Sequence, residues 1–191
     1  MLETFLSLQR GKIADQKIPS RLRGGRILDI GCGDRTFFLK RTCFQEKYGV
    51  DRLTVSSEHE ITREGIQITN QDIERDPLLS FPDGHFTVVT MLAVSEHLEP
   101  GRLPVLLNEI FRVLAPHGVF IMTTPASWAD ALLRALARFH LINAELFAEH
   151  KDSYTHSKLK NIFLQTEFAK STLSFGYFEL FMNLWAVALK L

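Results

Sequence analysis

The stretch "RILDIGCGDRTFF", residues 26–38, decides how this 191-residue chain folds. Residues 26–30 form a short apolar run that stops at a glycine, which predicts a buried β-strand. Gly31 and Gly33 follow with one residue between them. Glycines in such a place let the backbone turn sharply and let a ligand approach without meeting a Cβ atom. The stretch therefore predicts a strand that ends in a ligand-binding turn, followed by a helix over residues 36–44.

Strands and helices alternate along the rest of the chain. Further strands are predicted at 47–51, 66–70, within 81–92 and at 119–125, and two closing strands at about 170–178 and 180–190. Helices are predicted over 2–9, 102–114, 128–148 and 157–168; residues 10–25 are expected to be a loop, and residues 52–65 are too few for a full helix, so a turn is expected there. This order predicts one α/β domain over 1–191, a doubly wound, mostly parallel sheet with helices on both faces.

Charge and cysteine content exclude several classes of protein. Lysine and arginine together number 22, as do aspartate and glutamate, so the net charge is zero. Proteins that coat nucleic acid usually carry a basic excess, and no nucleic-acid partner is expected. Cys32 and Cys43 are too few for a disulfide framework or a zinc site, which favours a reducing, cytoplasmic location. The first residues lack the pattern of a secretory signal, and no apolar run reaches the length of a membrane span.

The residues around the two glycines favour one class of cofactor over another. Dinucleotide sites carry glycine at the first, third and sixth positions, because the pyrophosphate rests on the helix N-terminus and the third glycine allows close packing. Here the sixth position is Thr36, and Asp29 stands just before the glycines. A carboxylate repels a pyrophosphate, but it suits a ligand with a positive centre or an ammonium group. S-Adenosylmethionine has both and carries no phosphate.

Five motifs follow one another in order: "LDIGCG" at 28–33, "YGVD" at 48–51, "QDI" at 71–73, "FPDGHFTVVTMLAVSEHL" at 81–98 and "EIFRVLAPHGVFIMTTP" at 109–125. In this order and spacing they resemble the class I S-adenosylmethionine-dependent methyltransferases, specifically the small type 11 branch. The resemblance implies a Rossmann-like methyltransferase fold: a seven-stranded, mostly parallel sheet with a C-terminal antiparallel strand and a helical insertion after the fifth strand, at about 126–157. It also implies S-adenosyl-L-methionine as the cofactor.

The resemblance further implies which residues bind the cofactor. They are Asp29, Gly31, Gly33, Asp51, Arg52, Asp72, Ile73, Met91 and Leu92, and Arg35 is a further candidate from its position beside the glycines. Asp51 is expected to accept hydrogen bonds from the two ribose hydroxyls, as a carboxylate can from a cis diol. Asp72 is expected towards the exocyclic amine of adenine, with Ile73 against the ring. Other interpretations are open: Asp51 as a solvated strand end, Asp72 as a helix cap and Asp29 as a turn aspartate.

Two positions near the glycines have a second interpretation. The family usually has a third glycine where Arg35 stands. The guanidinium there either pairs with the methionine carboxylate of the cofactor or crowds the site. Cys32 is interpreted as a small residue that fills a gap, and not as a nucleophile.

His97, in "SEHLEP", is the candidate catalytic base. It follows the fourth predicted strand, where the transferred methyl group is expected, and an imidazole titrates near neutral pH. The alternative is a histidine that only braces the loop. Glu96 and Glu99 beside it are expected to be solvated or to cap a helix.

The segment after the fifth strand is expected to choose the methyl acceptor. The predicted helix 128–148 and His150, Tyr154 and His156 are either parts of a lid over an apolar or lipid-linked small molecule, or a cover for the core. Peripheral membrane contact is compatible with such an acceptor, and the oligomeric state stays open. Two other functions remain: a cofactor-binding module without turnover, and a nicotinamide-dependent oxidoreductase, which Thr36 and Asp29 disfavour.

Overall fold

The computed structural model describes residues 2–52, 60–129 and 151–191. The strands are β1 (Arg26–Ile30), β2 (Glu46–Asp51), β3 (Glu60–Arg63), β4 (Ile66–Asn70), β5 (Phe86–Leu92), β6 (Leu114–Pro125), β7 (Thr172–Phe178) and β8 (Asn183–Leu189). The helices are α1 (Leu2–Lys17), α2 (Phe37–Arg41), α3 (Arg102–Val113) and α4 (His156–Leu164), with short 3-10 turns at Ser20–Leu22, Ser95–His97 and Glu167–Lys170. Within these residues the strands form one sheet in the order β3-β4-β2-β1-β5-β6-β8-β7.

The direction of the strands matches the sequence prediction. β4, β2, β1, β5 and β6 are parallel, β8 is antiparallel to β6, and β7 is antiparallel to β8. Without β3, which pairs antiparallel with β4 at the edge, the described sheet has seven strands. Six of them run in one direction and β8 runs in the other. The predicted mostly parallel sheet is confirmed. Strand order reverses between β1 and β5, and in such sheets ligands bind beyond the strand ends at that point.

Helices cover both faces of the sheet. α1 and α2 lie on one face, where Ala14 shares an apolar cluster with Ile121 of β6. α3 and α4 lie on the other, where Leu107 and Phe163 share a larger cluster with Phe120. Ile121 and Phe120 are neighbours in β6, and successive strand residues point to opposite faces. Each core residue is thus assigned to one of the two helical layers.

Helix α1 is longer than the sequence predicts. The prediction ended the helix at residue 9 and placed a loop over 10–25, but α1 continues to Lys17. Ala14 on the added turns is fully buried. A Cβ atom at Gly11 would lie 3.3 Å from Cδ2 of Phe38, so the glycine lets α1 pack closely on α2. Packing therefore overrides the weak helix propensity of glycine, and the loop prediction was wrong for residues 10–17.

Helix α2 is shorter than the predicted 36–44. It ends at Arg41, and Thr42 is extended. The Thr42 hydroxyl donates to Asp15 of α1 over 2.7 Å, and Arg23 donates to the same carboxylate over 2.9 Å. A polar cluster between α1 and the end of α2 thus replaces the last predicted helical turn.

Part of the turn predicted over 52–65 is a strand. β3 pairs with β4 through the two-residue turn Glu64-Gly65, whose φ angles are 51° and 73°. Positive φ at both positions is the conformation that two-residue hairpins require. The prediction was therefore wrong for residues 60–63, and residues 53–59 lie outside the described residues.

The predicted insertion is described only at its two ends. Residues 127–129 are helical, while most of the helix predicted over 128–148 lies outside the described residues, as does His150. Among the helices that the structure describes, none combines the length and the apolar character that a bilayer crossing needs.

Candidate active site

The turn after β1 has a conformation that only glycine adopts without strain at its first position. Gly31 has a φ of +73°, and its N–H donates to the carbonyl of Val50 over 2.8 Å. A Cβ atom at Gly31 would lie 2.1 Å from Cγ2 of Val94. Gly33 has a φ of +67°, and no atom of the described residues lies within 4 Å of its Cβ position. The first glycine therefore permits close packing of the β5 loop, and the second only the turn.

Gly31 lines two cavities at the C-terminal edge of the sheet, and the cavities meet at this residue. The first cavity, of about 400 Å³, is lined by Ser7, Arg10, Asp29, Gly31, Cys32, Gly33, Asp34, Arg35, Thr36, Phe37, Phe38 and Leu92. The second cavity, of about 470 Å³, is lined by Gly31, Val50, Asp51, Arg52, Gln71, Asp72, Ile73, Glu74, Ala93, Val94, His97, Leu98 and Lys151. Two cavities that meet at one glycine suit an elongated ligand with two different ends.

Asp29 lies at the bottom of the first cavity. Its side chain is almost fully buried, and its Oδ1 accepts a hydrogen bond of 2.6 Å from the Thr90 hydroxyl. Burial raises the pKa of Asp29 to about 7; the Thr90 hydrogen bond opposes this, and the negative charge of Asp51 adds to it. A carboxyl group in this state is poised to gain from a positive group in the cavity.

Cys32 fills space between β1 and β2. A Cβ atom at Gly49 would lie 2.6 Å from the Cys32 sulfur. Burial and the negative charges of Asp29, Asp51 and Asp34 raise the pKa of the Cys32 thiol far above its ordinary value. The thiolate is the nucleophilic form, so these surroundings suppress nucleophilic chemistry at this sulfur.

Asp51 ends β2 inside the second cavity. Its Oδ2 accepts a hydrogen bond of 2.6 Å from the N–H of Gly33, which ties the glycine turn to the end of β2. A carboxylate has about four acceptor positions, so Asp51 keeps capacity for a diol.

Asp72 and Arg52 lie opposite Asp51 in the same cavity. Asp72 Oδ1 accepts from the backbone N–H groups of Glu74 and Arg75, at 3.1 and 3.4 Å. Its Oδ2 lies 3.6 Å from Arg52 Nη1 and 3.6 Å from Arg75 Nε. The Asp72 carboxylate thus caps the turn that follows β4; the alternative interpretation expected it to cap a helix, and the structure has a turn there. Ile73 presents a partly buried apolar side chain to the cavity.

Three further residues were predicted to bind the cofactor, and they differ in how close they lie to the first cavity. Arg35 is exposed at the rim of the first cavity, with its guanidinium carbon 5.8 Å from the centre of the Phe37 ring. Leu92 lines the first cavity. Met91 lines neither cavity; it is fully buried in the larger core cluster, under α3. Thr36, not Arg35, has the left-handed conformation in this turn, with a φ of 47°.

His97 lines the second cavity from the 3-10 turn after β5. The turn is anchored by its neighbours: the Tyr154 hydroxyl donates to the Ser95 carbonyl over 3.1 Å, and the Thr124 hydroxyl donates to Glu96 Oε2 over 3.2 Å. Thr124 of β6 and Tyr154, near the C-terminal end of the insertion, therefore hold the turn that carries the candidate base.

Glu96 was expected to be solvated or to cap a helix, and that expectation was wrong. Its side chain is only 2% exposed. Its carbonyl accepts hydrogen bonds from the N–H groups of Lys151 and Asp152, at 2.8 and 3.2 Å. The sequence contains no periodic signal for this burial, because it depends on the return of the chain after the insertion.

Lys151 and Tyr154, near the C-terminal end of the insertion, contact the residues around the second cavity. Lys151 Nζ lies 2.8 Å from Glu74 Oε1 and 3.1 Å from Glu99 Oε1, which raises the pKa of Lys151. Tyr154 is buried and bonded to the β5 loop, and His156 packs against the rings of Phe175 and Tyr177. Tyr154 thus contributes to the core rather than to an open acceptor surface.

A sequence model described as a methyltransferase domain matches residues 8–173 of the chain. The chain belongs to the class I S-adenosylmethionine-dependent methyltransferases. A search of curated proteins finds no match to this methyltransferase. The family assignment removes the nicotinamide-dependent alternative.

Solved structures of other methyltransferases have the same fold. An S-adenosylmethionine-dependent methyltransferase from Archaeoglobus fulgidus is 19% identical, with a TM-score of 0.68 over 97% of this chain and 94% of that one. One from Mesorhizobium loti is 15% identical, with a TM-score of 0.69 over 97% and 100%. A methyltransferase from Thermotoga maritima, described as a possible histamine N-methyltransferase, is 17% identical, with a TM-score of 0.69 over 96% and 88%.

S-Adenosyl-L-methionine is the cofactor of this family, and the two cavities fit it. The ligand has a charged amino-acid end and an adenosine end, joined at a sulfonium. The first cavity has the Asp29 carboxyl group and two arginines, and the second has the Asp51 carboxylate and the apolar Ile73. In the described residues, each cavity also contains one buried polar atom without a hydrogen-bond partner, Arg10 Nε and Gln71 Oε1.

Proposed function

We infer that this methyltransferase transfers the methyl group of S-adenosyl-L-methionine to a small-molecule acceptor. The observation that carries the proposal is the meeting of the two cavities at Gly31, with Asp29 in one and Asp51 in the other. When bound, the cofactor supplies an electrophilic methyl group on its sulfonium. Asp51 would hold the ribose hydroxyls and Ile73 would pack against the base, in a loop that Arg52 and Asp72 fix.

His97 is proposed as the general base. His97 lines the cavity that contains Asp51. Tyr154 donates to the Ser95 carbonyl and Thr124 donates to the Glu96 carboxylate, and these two hydrogen bonds hold the turn that carries His97. The imidazole would take the proton that the acceptor's nucleophilic atom loses as it bonds to the methyl carbon, while the bond from that carbon to the sulfonium sulfur breaks and S-adenosylhomocysteine is left. The enzyme otherwise aligns the two reactants.

An apolar or lipid-linked acceptor is supported by the surface where the insertion begins. Trp128, Leu180 and Phe181 are large apolar residues that are 47%, 87% and 66% exposed. Trp128 Nε1 donates to the carbonyl of Phe181 over 3.0 Å, so the start of the insertion contacts the β7–β8 turn. Burial raises the pKa of Glu179 in the same turn, and the positive charge of Arg10 in the first cavity and the hydrogen bond from Asn183 oppose that rise. The apolar surface therefore adjoins the first cavity.

The test is S-adenosylhomocysteine formation with fractionated metabolites and lipids as acceptors. His97→Ala should lower turnover by roughly 10²–10⁴-fold, the usual effect of removing a positioned base. Affinity for S-adenosylhomocysteine should stay unchanged. The matched control is His117→Asn, an exposed histidine in the turn before Gly118.

Three results would contradict the proposal in different ways. Wild-type turnover by the His97 variant removes this residue from the chemistry. A joint loss of cofactor affinity and melting temperature, with turnover at saturation kept, assigns it to bracing the loop. Cofactor binding with no transfer to any fraction favours the binding module without turnover.

A further inference from the structure

Two buried polar atoms at opposite ends of the site lack a hydrogen-bond partner among the described residues. One is the Oε1 acceptor of Gln71 in the second cavity, and the other is the Nε donor of Arg10 in the first. Leaving a buried donor or acceptor unpaired costs about 1–3 kcal/mol, so native structures rarely contain one without a reason. Gln71 is the first residue of the "QDI" motif, whereas Arg10 lies outside all five motifs.

The orientation of the Gln71 side chain is fixed by the structure. Its Nε2 donates to the carbonyls of Asp76 and Leu78, at 2.9 and 2.7 Å. Two carbonyl oxygens can be satisfied only by the NH2 group, so the amide cannot be flipped. The side chain is only 9% exposed, and its residue lines the second cavity. Oε1 is therefore an acceptor with a fixed position and no hydrogen-bond donor among the described residues.

Asp72, the neighbouring candidate for that role, is already engaged. Its carboxylate accepts from two backbone N–H groups and lies beside the guanidinium groups of Arg52 and Arg75. These contacts use the carboxylate to shape the loop. Asp72 Oδ2 keeps acceptor positions too, but it lies beside two guanidinium groups, whereas Gln71 Oε1 is buried and has no hydrogen-bond partner among the described residues.

In the first cavity the buried atom that lacks a partner in the described part of the chain is a donor, Arg10 Nε, instead of an acceptor. Arg10 is a half-buried cation on α1; its charge acts on Glu179, but its Nε is a donor without a hydrogen-bond partner among the described residues. Arg35, the other arginine of this cavity, is exposed and packs near the Phe37 ring. A partly desolvated guanidinium binds a carboxylate more strongly than an exposed one, because water screens it less.

We propose that Gln71 Oε1 accepts a hydrogen bond from the 6-amino group of the cofactor's adenine, and that Arg10 binds its carboxylate. The proposal rests on the proposed function, since it assumes that S-adenosyl-L-methionine occupies both cavities. Adenine offers a donor at its 6-amino group, and the amino-acid end offers an acceptor. Each orphaned atom thus gains the partner that it lacks, and α1 becomes part of the cofactor site.

Three ligands separate the two contacts by calorimetry. S-Adenosylhomocysteine carries both groups, S-inosylhomocysteine has an oxygen in place of the 6-amino group, and 5′-methylthioadenosine lacks the amino-acid end. Wild type should bind S-adenosylhomocysteine at least tenfold more tightly than S-inosylhomocysteine, because an oxygen facing Oε1 leaves that acceptor unpaired. Failure of wild type to bind S-adenosylhomocysteine at all would refute the proposed function itself.

The Gln71 contact is tested with Gln71→Met and Gln71→Asn. Both remove the acceptor from its position, and the second keeps an amide in case the first misfolds. In each, discrimination between the adenine and inosine ligands should fall to threefold or less, while Asp72→Asn should keep it. Discrimination that survives in both Gln71 variants, or that disappears in Asp72→Asn alone, overturns this half of the proposal.

The Arg10 contact is tested with Arg10→Gln against Lys12→Gln, an exposed lysine on the same helix. Arg10→Gln should weaken S-adenosylhomocysteine by about 10- to 100-fold and leave 5′-methylthioadenosine within twofold. Lys12→Gln should change neither. An equal loss for both ligands in Arg10→Gln would show that the arginine acts only through the packing of α1, and no loss would show that it makes no contact; either overturns this half.

Discussion

The two cavities beside Gly31 are built in different ways. Apart from Lys151, the second is formed by the ends of successive strands and the loops that directly follow them, so Asp51, Asp72 and His97 each come from a segment with a recognisable pattern. The first combines strand-end residues and the glycine turn with α1, which is distant in sequence and lies there because it packs on α2 and on the sheet. Strand-end residues can therefore be assigned from sequence, whereas a residue such as Arg10 requires the folded chain.

The largest expected effect is on the residue that both cavities share. Gly31→Ala should destabilise the protein by about 2–5 kcal/mol, from the left-handed backbone and the contact with Val94. Gly33→Ala imposes the same backbone strain without a contact and should cost about 1–2 kcal/mol. Urea unfolding of both variants checks the difference. Equal losses would mean that Gly31 does not set the packing between the turn and the β5 loop.

The next effect belongs to the first cavity and depends on pH. The pKa of Asp29 is about 7 in the folded protein and 3.8 when unperturbed. Between these values the folded state binds a proton that the unfolded state has released, so stability falls as pH rises. From pH 5 to pH 8 this contribution amounts to about 2–3 kcal/mol.

Asp29→Asn should remove this fall. Urea denaturation at pH 5 and pH 8 should show a smaller decline for the variant than for wild type, by that amount. Asp34→Asn, an exposed carboxylate of the same turn, should retain the wild-type decline. An Asp29 variant with an unchanged pH dependence would mean that this carboxyl group ionises in the folded protein as it does in water.

The smallest effect belongs to the second cavity. Asp51→Ala should weaken S-adenosylhomocysteine by about 1.5–3 kcal/mol, because it removes a charged acceptor for the ribose hydroxyls. Asp83→Ala, at an exposed carboxylate before β5 that lines neither cavity, should leave the affinity unchanged. Calorimetry with equal affinities for the Asp51 variant and wild type would leave the strand-end aspartate as a solvated residue that only bonds to Gly33.

The sequence predicts the fold well because the strands are short apolar runs that stop at glycine or polar residues. β1, β2, β4 and the two C-terminal strands lie within a few residues of their predicted positions. Two misses have physical causes. Gly11 and the basic residues around it suggest a loop, but burial of Ala14 keeps α1 helical. The hairpin of β3 depends on pairing with β4, which periodicity does not reveal.

The site shows the same division. Met91 and Leu92 were both predicted to contact the cofactor, yet neighbours in a strand face opposite sides, and only Leu92 lines a cavity. Gln71 lies beside a predicted residue, but its unpaired oxygen results from where its amide finds carbonyls. Glu96 is buried by the return of the chain at Lys151. Such contacts join segments far apart in sequence, so no local pattern encodes them.

A crystal structure of the S-adenosylhomocysteine complex tests the central claim most directly. We expect the amino-acid end in the first cavity, near Asp29 and Arg10, and the adenosine in the second, with the ribose at Asp51 and the 6-amino group at Gln71. The sulfur should lie beside Gly31. A ligand bound in the reverse direction, or outside both cavities, would contradict the account.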